Sequence, residues 1–171
     1  MYEQRLPVQY IVSTLAATGP TRQLLNIVTN LDQNRWEPHI VTLSPEPSDS
    51  NAEQFSEADI PVTSLNLSRS GSIVLGPSRL RSVTQKNDPA ILHTQGIRAD
   101  SLAAHYLDKY PHLTTLRNFP PEDYIQQYGK VPGQLMVWQQ FRAARHADQA
   151  VACSRTIREK YSKQGVTTVA I

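Results

Sequence analysis

Short apolar or β-branched segments alternate along the chain with longer segments whose apolar residues recur every three or four positions. The short pattern is typical of buried strands, whereas the longer one places apolar residues on one face of a helix. Strands are predicted at Val8–Ser13, His39–Leu43, Val62–Leu65, Ala90–His93, Leu113–Leu116 and Gln149–Ala152. Residues Val166–Ile171 are predicted to form either a final strand or a linker.

Three of the intervening segments carry a clear helical period. Their recurring apolar residues are Leu24, Leu25, Val28 and Leu31 in the first, Ala99, Leu102, Ala103, Tyr106, Leu107 and Tyr110 in the second, and Leu135, Val137, Trp138, Phe141 and Ala144 in the third. Because parallel strands need crossover connections, this alternation predicts an α/β fold. We expect a Rossmann-like open, mainly parallel sheet with helices on both faces.

Two polar connections are predicted to be long loops. The segment Ser44–Asn51 contains Pro45 and Pro47, and the segment Asn118–Gly133 contains three prolines and two glycines. Loops of more than about 12 residues in a compact domain are usually functional or mobile.

The amino-acid composition and the net charge exclude some classes of function. The 171 residues are 39% hydrophobic and 19% charged, which fits one folded domain over residues 1–171. With 17 basic and 15 acidic residues the net charge is only +2. Since nucleic-acid binders that rely on bulk charge need a dense basic face, no nucleic-acid partner is expected.

The lone Cys153 excludes an internal disulfide and a multi-cysteine zinc site, and it fits a reducing compartment. It is predicted to be a small buried residue. The N-terminal residues lack the profile of a signal peptide, and no apolar run approaches the roughly 18 residues that cross a bilayer. We therefore expect a soluble cytoplasmic domain.

In open parallel sheets, ligands bind beyond the carboxyl ends of the strands. After the first predicted strand, Gly19 permits a tight turn, and Pro20 or Thr21 begins a helix whose free N–H groups favour an anion. Arg22 follows in the same turn. One glycine stands where a dinucleotide fingerprint has three, so an ordinary strand-to-helix turn is an equal interpretation.

A second polar cluster follows the fourth predicted strand and contains His93, Gln95, Gly96, Arg98 and Asp100. A histidine at a strand end beside a charged helix start suits a ligand site. In the alternative interpretation, Asp100 complements the helix dipole and His93 is a hydrogen-bonded core residue.

A third cluster follows the fifth predicted strand. Arg117 can bind a phosphate beside Asn118, and Tyr124 and Tyr128 can stack on a sugar or a lipid headgroup. If that segment is helical, the two tyrosines share a face at i and i+4. The alternative is that the aromatic residues only pack the loop while Arg117 is solvated.

The C-terminal segment offers little chemistry. Thr156 and Glu159 have the spacing of a capping box. Four cations predict a solvated helix face, with attraction to a membrane as the alternative; they are Arg155, Arg158, Lys160 and Lys163. The sequence shows no Ser/His/Asp arrangement, P-loop or metal-ligand spacing.

The order of these segments resembles the N-terminal domain of family 4 glycosyltransferases, the retaining enzymes with the GT-B fold. The resemblance covers nearly the whole chain, and its carriers are Thr18–Asn26, Asp88–Asp100 and Ala147–Ser154. The segment Thr115–Tyr124 is similar to members that build bacterial surface polysaccharides. In such enzymes a C-terminal domain binds the nucleotide-sugar and the N-terminal domain presents the acceptor.

The resemblance implies the acceptor-binding half of an enzyme that moves a sugar from a nucleotide-sugar to a bacterial cell-surface polysaccharide or glycolipid. It implies no metal and no resident cofactor, a donor domain as partner, and at most peripheral contact with the inner face of the membrane. The residues implied are Gly19, Thr21 and Arg22 for phosphate, and His93, Gln95, Gly96, Arg98, Asp100, Arg117, Asn118, Tyr124 and Tyr128 for the acceptor.

Three departures from the family pattern leave the catalytic base unassigned, with His93 as a candidate. Gly19 has no adjacent glycine, Gln95 replaces the second histidine of a His-x-His-Gly stretch, and Arg117 stands where a histidine is often found. We expect the three clusters to converge along one rim of the sheet.

Two other function classes remain open: a stand-alone Rossmann-like nucleotide-binding module and a non-enzymatic interaction domain. We expect this chain alone to lack transferase activity. An apolar patch left by the loss of a returning C-terminal helix would favour a homodimer.

Overall fold

The computed structural model of the protein describes residues 5–68 and 71–170. The chain forms two compact units that divide between Leu92 and His93. No helix within the described ranges is long and apolar enough to cross a membrane.

Seven strands, found within the described residues, have the order β3-β2-β1-β4-β5-β6-β7. Their bounds are Leu6–Val12 (β1), Trp36–Thr42 (β2), Val62–Ser64 (β3), Ile91–Gln95 (β4), His112–Leu116 (β5), Gln149–Ala152 (β6) and Thr168–Ala170 (β7). The prediction of an α/β, Rossmann-like parallel sheet is confirmed. The C-terminal segment contains a strand rather than a linker, and Ile171 lies outside the described residues.

Helices connect these strands. In the first unit they are Gly19–Thr29 (α1), Ala52–Glu57 (α2), Gly71–Val74 (α3) and Gly76–Asn87 (α4), and in the second unit they are Ile97–Tyr106 (α5), Pro120–Tyr128 (α6), Lys130–His146 (α7) and Arg155–Ser162 (α8). The helical periods in the sequence predicted α1, α5 and α7.

In the first unit, β1, β2 and β3 pair in parallel, with Tyr10 opposite Ile40 and Ile40 opposite Val62. Helix α1 buries Leu24 and Val28, which are four residues apart and therefore share a face. These side chains join a core cluster with buried residues of the strands and of α2. The face predicted for α1 is confirmed.

In the second unit, β5, β6 and β7 pair in parallel. Helices α7 and α8 cover a small aromatic cluster, in which the rings of Phe141 and Tyr161 lie 5.3 Å apart, edge to face. Phe119 packs edge-on against both rings. Edge-to-face pairs of this kind add about 1 kcal/mol each beyond the area they bury.

The predicted loop at Asn118–Gly133 is wrong, because this segment forms α6 and the first turn of α7. Pro120 and Pro121 occupy the first turn of α6, where a missing N–H removes no helical hydrogen bond. Gly129, with φ of 83°, ends α6 and precedes α7. The prolines thus mark a helix start. The connection at Ser44–Asn51 is irregular, as predicted.

Two smaller predictions about the C-terminal segment are also wrong. Ser154, and not Thr156, caps α8, because its extended backbone lets Oγ accept the N–H of Ile157 at 3.2 Å. Thr156 lies inside the helix. Cys153 is exposed and not buried, since β6 ends at Ala152 and the thiol follows the strand end.

Gly133 permits the close approach of α7 to α6. A Cβ at this position would lie 2.6 Å from the carbonyl oxygen of Tyr124 and 2.7 Å from the Cα of Ile125. Both neighbours are backbone atoms, so they cannot rotate away as a side chain would. The two helices can pack in this way only with glycine at position 133.

We expect Gly133→Ala to lower the free energy of unfolding by about 2 kcal/mol, because the overpacking penalty exceeds the better helix propensity of alanine. Urea denaturation followed by circular dichroism measures the loss. Gly19→Ala is the matched control, since a Cβ there meets no atom within 4 Å. Equal stability of the two variants would contradict the packing argument.

Candidate functional site

The carboxyl end of β4 leads directly into α5. Gly96 forms this junction with φ of 97°, a conformation that residues with side chains rarely adopt. As the N-cap residue it supplies no side-chain oxygen to the first turn of α5. The N–H groups at the start of α5 therefore lack a side-chain cap, and the helix dipole is positive there.

Gln95 and Arg117 lie together at this junction. The Nη2 group of Arg117 donates to Oε1 of Gln95 at 2.7 Å. Gln95 is only 8% exposed, and within the described residues its buried Nε2 has no hydrogen-bond partner. Burial lowers the pKa of Arg117, and the guanidinium remains cationic at neutral pH. The pair thus places positive charge at the junction, next to a buried amide donor that has no partner within the described residues.

His93 is half-buried beside these residues. Its Nε2 lies 2.7 Å from Oγ1 of Thr115. Burial, followed by the charge of Arg117 and by His112, lowers the pKa of His93 to about 4. The imidazole is therefore neutral at pH 7 and is a weak proton acceptor.

Asp100 is wholly buried in the first turn of α5. Its Oδ1 accepts hydrogen bonds from Thr94 at 2.6 Å and from Thr114 at 2.8 Å, and its Oδ2 accepts one from Gln140 at 2.7 Å. Burial raises the pKa of Asp100 to about 6 even though the three hydrogen bonds lower it. The carboxylate links β4, β5, α5 and α7 through these hydrogen bonds. This agrees with the alternative interpretation of the sequence, in which Asp100 has a structural role and does not bind a ligand.

His112 extends the same network. Its Nε2 lies 2.7 Å from Oγ1 of Thr94, and its backbone N–H donates to Asp148 at 2.8 Å. Burial lowers the pKa of His112 to about 4, so the ring is neutral at pH 7. Since the Thr94 hydroxyl donates its proton to Asp100, Nε2 of His112 must be protonated and must donate to Oγ1 of Thr94. Sequence reasoning missed His112, because nothing in its segment marks a histidine at a strand start.

The tyrosines of α6 share a face, as predicted for a helical segment. The rings of Tyr124 and Tyr128 lie 6.3 Å apart, edge to face. Tyr124 is half-buried, with burial raising its pKa to about 12 and a hydrogen bond from Asn118 opposing that shift. Tyr128 is 40% exposed and presents its ring to solvent. Arg98 is half-buried in the first turn of α5.

The predicted phosphate turn lies in the first unit. Gly19 begins α1 in an exposed position, Thr21 is buried with its Oγ1 3.2 Å from that of Thr18, and Arg22 is exposed. Glu46 braces the preceding segment, since its carboxylate accepts from the backbone N–H of Leu15 at 2.9 Å. The start of α1, like that of α5, has no side-chain cap.

Two of the three predicted clusters therefore meet, because the His93 and Arg117 segments contact each other through Gln95 and Arg117. The convergence of the Gly19 turn with them stays a prediction. In the portion of the chain that the structure describes, no three His, Cys, Asp or Glu side chains are grouped as metal ligands.

Several solved structures share this fold. HepE from Anabaena, in complex with UDP and glucose, has a TM-score of 0.74 at 12% identity, over 98% of this chain and 44% of that one. Sucrose-phosphate synthase from Thermosynechococcus elongatus has a TM-score of 0.71 at 15% identity, over 98% and 48%. UDP-GlcNAc 2-epimerase from Methanocaldococcus jannaschii has a TM-score of 0.64 at 10% identity, over 97% and 45%.

At these identities the likeness shows the fold alone, and the chain spans less than half the length of each of these structures. No curated protein sequence matches the chain. Residues 18–171 match the family model described as a glycosyl transferase 4-like domain, which covers most of the chain. The chain therefore belongs to the glycosyl transferase 4-like domain family.

Proposed function

We propose that this chain is the acceptor-binding half of a retaining glycosyltransferase that acts on a bacterial cell-surface polysaccharide or glycolipid. The observation that carries the proposal is the donor-rich junction formed by Gln95, Arg117 and the uncapped start of α5. Sugars and their acidic substituents present many oxygen acceptors, which such donors recognise. Membership of the family supports the transferase assignment.

The residues near the junction make different contacts with the acceptor. Arg117 donates hydrogen bonds to acceptor oxygens beside the backbone of Gly96, and Gln95 orients the guanidinium through its Oε1. The exposed ring of Tyr128 stacks on a sugar face. The remaining polar contacts come from His93, Arg98, Asn118 and Tyr124.

Asp100 acts as a positioning residue in this proposal, because its buried carboxylate is enclosed by three hydrogen bonds. It holds Thr94 on β4, Thr114 on β5 and Gln140 on α7. An acceptor therefore meets the surface that Asp100 orders and does not meet the carboxylate itself.

The reaction forms a bond between an acceptor hydroxyl oxygen and the anomeric carbon of the donor sugar, and it breaks the bond from that carbon to the diphosphate oxygen. The hydroxyl proton passes to the departing diphosphate, which balances the step. The leaving diphosphate gains negative charge, which positive dipoles and basic side chains stabilise. The start of α1 at Gly19, with Thr21 and Arg22, supplies part of that field. His93, with a pKa of about 4, orients the acceptor hydroxyl by hydrogen bonding and leaves the general base unassigned.

A donor domain would complete the enzyme, at the cytoplasmic face of the membrane. The nucleotide-sugar would bind mainly that domain, and closure of the two domains would exclude water and align the acceptor. HepE was solved in complex with UDP-glucose. We expect this chain alone to form no product from a nucleotide-sugar and an acceptor.

Calorimetric titration with neutral, uronic-acid and phosphorylated oligosaccharides tests the acceptor site. We expect Arg117→Ala to weaken binding about 10- to 100-fold, because a hydrogen bond to a charged group contributes about 1.5–3 kcal/mol. Arg117→Lys should recover part of the affinity, since it keeps the charge and loses the planar fork.

Arg155→Ala is the matched control, because it removes an exposed cation from the start of α8. Equal losses for the two alanine variants would refute a specific site at Arg117. Tight binding of UDP-glucose by this chain would instead favour a nucleotide-binding module, and binding of neither class of ligand would favour an interaction domain.

A further inference from the structure

Helices α5 and α7 end beside each other in the second unit, and each carries a histidine in its last turn. These residues are His105 on α5 and His146 on α7, and both side chains are exposed. Their ring centres lie 6.4 Å apart, and the two ring planes differ by only 8°. Aromatic pairs attract each other at about 4.5–7 Å, so stacking alone gives this pair little stability at the far end of that range.

The backbone of each helix fixes which ring nitrogen of its histidine carries a proton. Nδ1 of His105 lies 2.7 Å from the carbonyl oxygen of Ser101, and Nδ1 of His146 lies 3.1 Å from that of Arg142. Because a carbonyl oxygen only accepts hydrogen bonds, each Nδ1 must be protonated. In the neutral rings each Nε2 therefore keeps its lone pair. Within the described residues, neither Nε2 hydrogen-bonds to another side chain or to the backbone.

Metal-binding histidines in proteins have this arrangement, in which one ring nitrogen donates to a backbone carbonyl and the other binds the ion. Two imidazoles that bind one ion, each at about 2 Å, have ring centres roughly 4.5–6.5 Å apart, depending on the angle at the metal. The separation of 6.4 Å between His105 and His146 lies in the wide part of this range. Wide angles belong to ligands on opposite sides of the ion, as in the square-planar geometry of Cu²⁺ and Ni²⁺.

Electrostatics at these helix ends favour a cation. The carboxyl end of a helix is the negative end of its dipole, and α5 and α7 bring two such ends together. Arg142 and Arg145 are the cations of the last turns of α7, but their guanidinium groups make contacts elsewhere. That of Arg142 lies over the ring of Trp138, and that of Arg145 donates to the carbonyl oxygen of Gln164 at 2.7 Å.

We propose that His105 and His146 form a site for one divalent transition-metal ion, Cu²⁺ or Ni²⁺, which joins the carboxyl ends of α5 and α7. Nε2 of each ring is a ligand. No third His, Cys, Asp or Glu side chain completes the set within the described ranges, so water fills the remaining positions. The ion strengthens the same pair of helices that the hydrogen bond between Gln140 and Asp100 joins. This inference does not depend on the proposed sugar transfer.

Metal titration of the full chain without an affinity tag tests the proposal. All proteins carry Cys153→Ser, because the exposed thiol would itself bind these ions. Calorimetry with copper(II) and nickel(II) chloride should show a site that binds Cu²⁺ more tightly than Ni²⁺. Loss of an outer-shell partner alone costs about 10- to 100-fold in metal affinity, so His105→Ala and His146→Ala should each weaken binding about tenfold or more. Electron paramagnetic resonance of the Cu²⁺ complex should show two imidazole nitrogens in the parent chain and one in each variant.

His39→Gln is the matched control, because it removes a histidine of the first unit whose Nε2 lies 2.8 Å from Oγ1 of Thr63. It should bind both ions as the parent chain does. An ion that binds only the folded chain also stabilises it, so Cu²⁺ should raise the urea midpoint of the parent and of the control. It should not raise the midpoint of His105→Ala or His146→Ala. Both of these variants change exposed side chains, and circular dichroism verifies that they remain folded.

Three results would overturn the proposal. The first is the absence of saturable binding of Cu²⁺ and Ni²⁺ to the parent chain. The second is undiminished affinity in both His105→Ala and His146→Ala. The third is a resonance spectrum of the parent chain with a single imidazole nitrogen, because the two histidines would then bind ions separately.

Discussion

Replacing Asp100 with alanine is expected to destabilise the second unit by about 4 kcal/mol, because the change leaves several buried hydrogen-bond donors without an acceptor. Thr94, Thr114 and Gln140 all donate to this carboxylate. Without Asp100, Thr94 keeps as its side-chain partner only Nε2 of His112, which carries a proton and cannot accept one. The amide of Gln140 is buried beside the cavity. Urea denaturation and amide hydrogen exchange of β5 and α7 measure the loss.

Asp100→Asn is the control that separates loss of shape from loss of charge. Asparagine keeps the volume and one acceptor oxygen for the two threonines. If the side-chain amide of Gln140 turns over, its Oε1 can accept from the new Nδ2 group. Burial already disfavours the charged form of Asp100, as its raised pKa shows, so removing the charge also relieves a cost. We expect Asp100→Asn to lie within about 1 kcal/mol of the unchanged chain.

An equal loss in Asp100→Ala and Asp100→Asn would mean that the charge itself stabilises the fold, and the network interpretation would then be wrong. A loss under about 1 kcal/mol in both variants would show that water satisfies the three donors.

The hydrogen bonds of Asp100 also show which contacts cannot be predicted from the sequence. The position of Asp100 in the first turn of a helix followed from local pattern. Its contact with Gln140 joins residues 40 apart in the sequence, and no local period encodes such a pair. Thr94 and Thr114 look like ordinary strand residues, because the sequence does not distinguish a buried threonine hydroxyl from an exposed one.

The sheet was easier to predict than the helices around it. Buried parallel strands are short apolar runs, and six of the seven strands within the described residues were predicted to within a few residues. The segment that contains β7 was predicted as either a strand or a linker. Helix α4 was missed because its sequence is mostly polar and buries only Gly76, Leu80 and Thr84. Helix α6 was mistaken for a loop because proline signals both a break and a helix start.

At the candidate site, the sequence predicted which segments carry chemistry and missed how their side chains pair. The contact between Gln95 and Arg117 agrees with the rule that strand ends gather functional groups. The spare Nε2 donor of Gln95 depends on which way its amide is held, and Arg117 sets that orientation. A single sequence carries no signal of such a choice.

Acid is expected to destabilise the second unit through its neutral histidines. His93 and His112 both have pKa values of about 4, below the usual 6.5. Between those values the unfolded state binds the proton more readily, so stability present above pH 6.5 is lost as the pH falls towards 4. The shift of His112 corresponds to about 3 kcal/mol, and His93 acts in the same direction.

Asp100 opposes this loss. Its pKa of about 6 lies above the usual 3.8, so the folded state takes up the proton first as the pH falls. Protonation between pH 6 and pH 4 therefore stabilises the fold, by up to about 3 kcal/mol. The unchanged chain should show the difference between the opposing effects.

The variants should therefore rank by how steeply stability falls from pH 7 to pH 4.5. Asp100→Asn lacks the compensating proton and should be steepest, and the unchanged chain should be intermediate. His112→Gln keeps a donor for Thr94, removes one titrating ring and should be flattest. Urea denaturation at a series of pH values gives the three slopes, in which the other carboxylates contribute equally. Identical slopes for all three proteins would show that the pKa values of Asp100 and His112 are not shifted by burial as we describe.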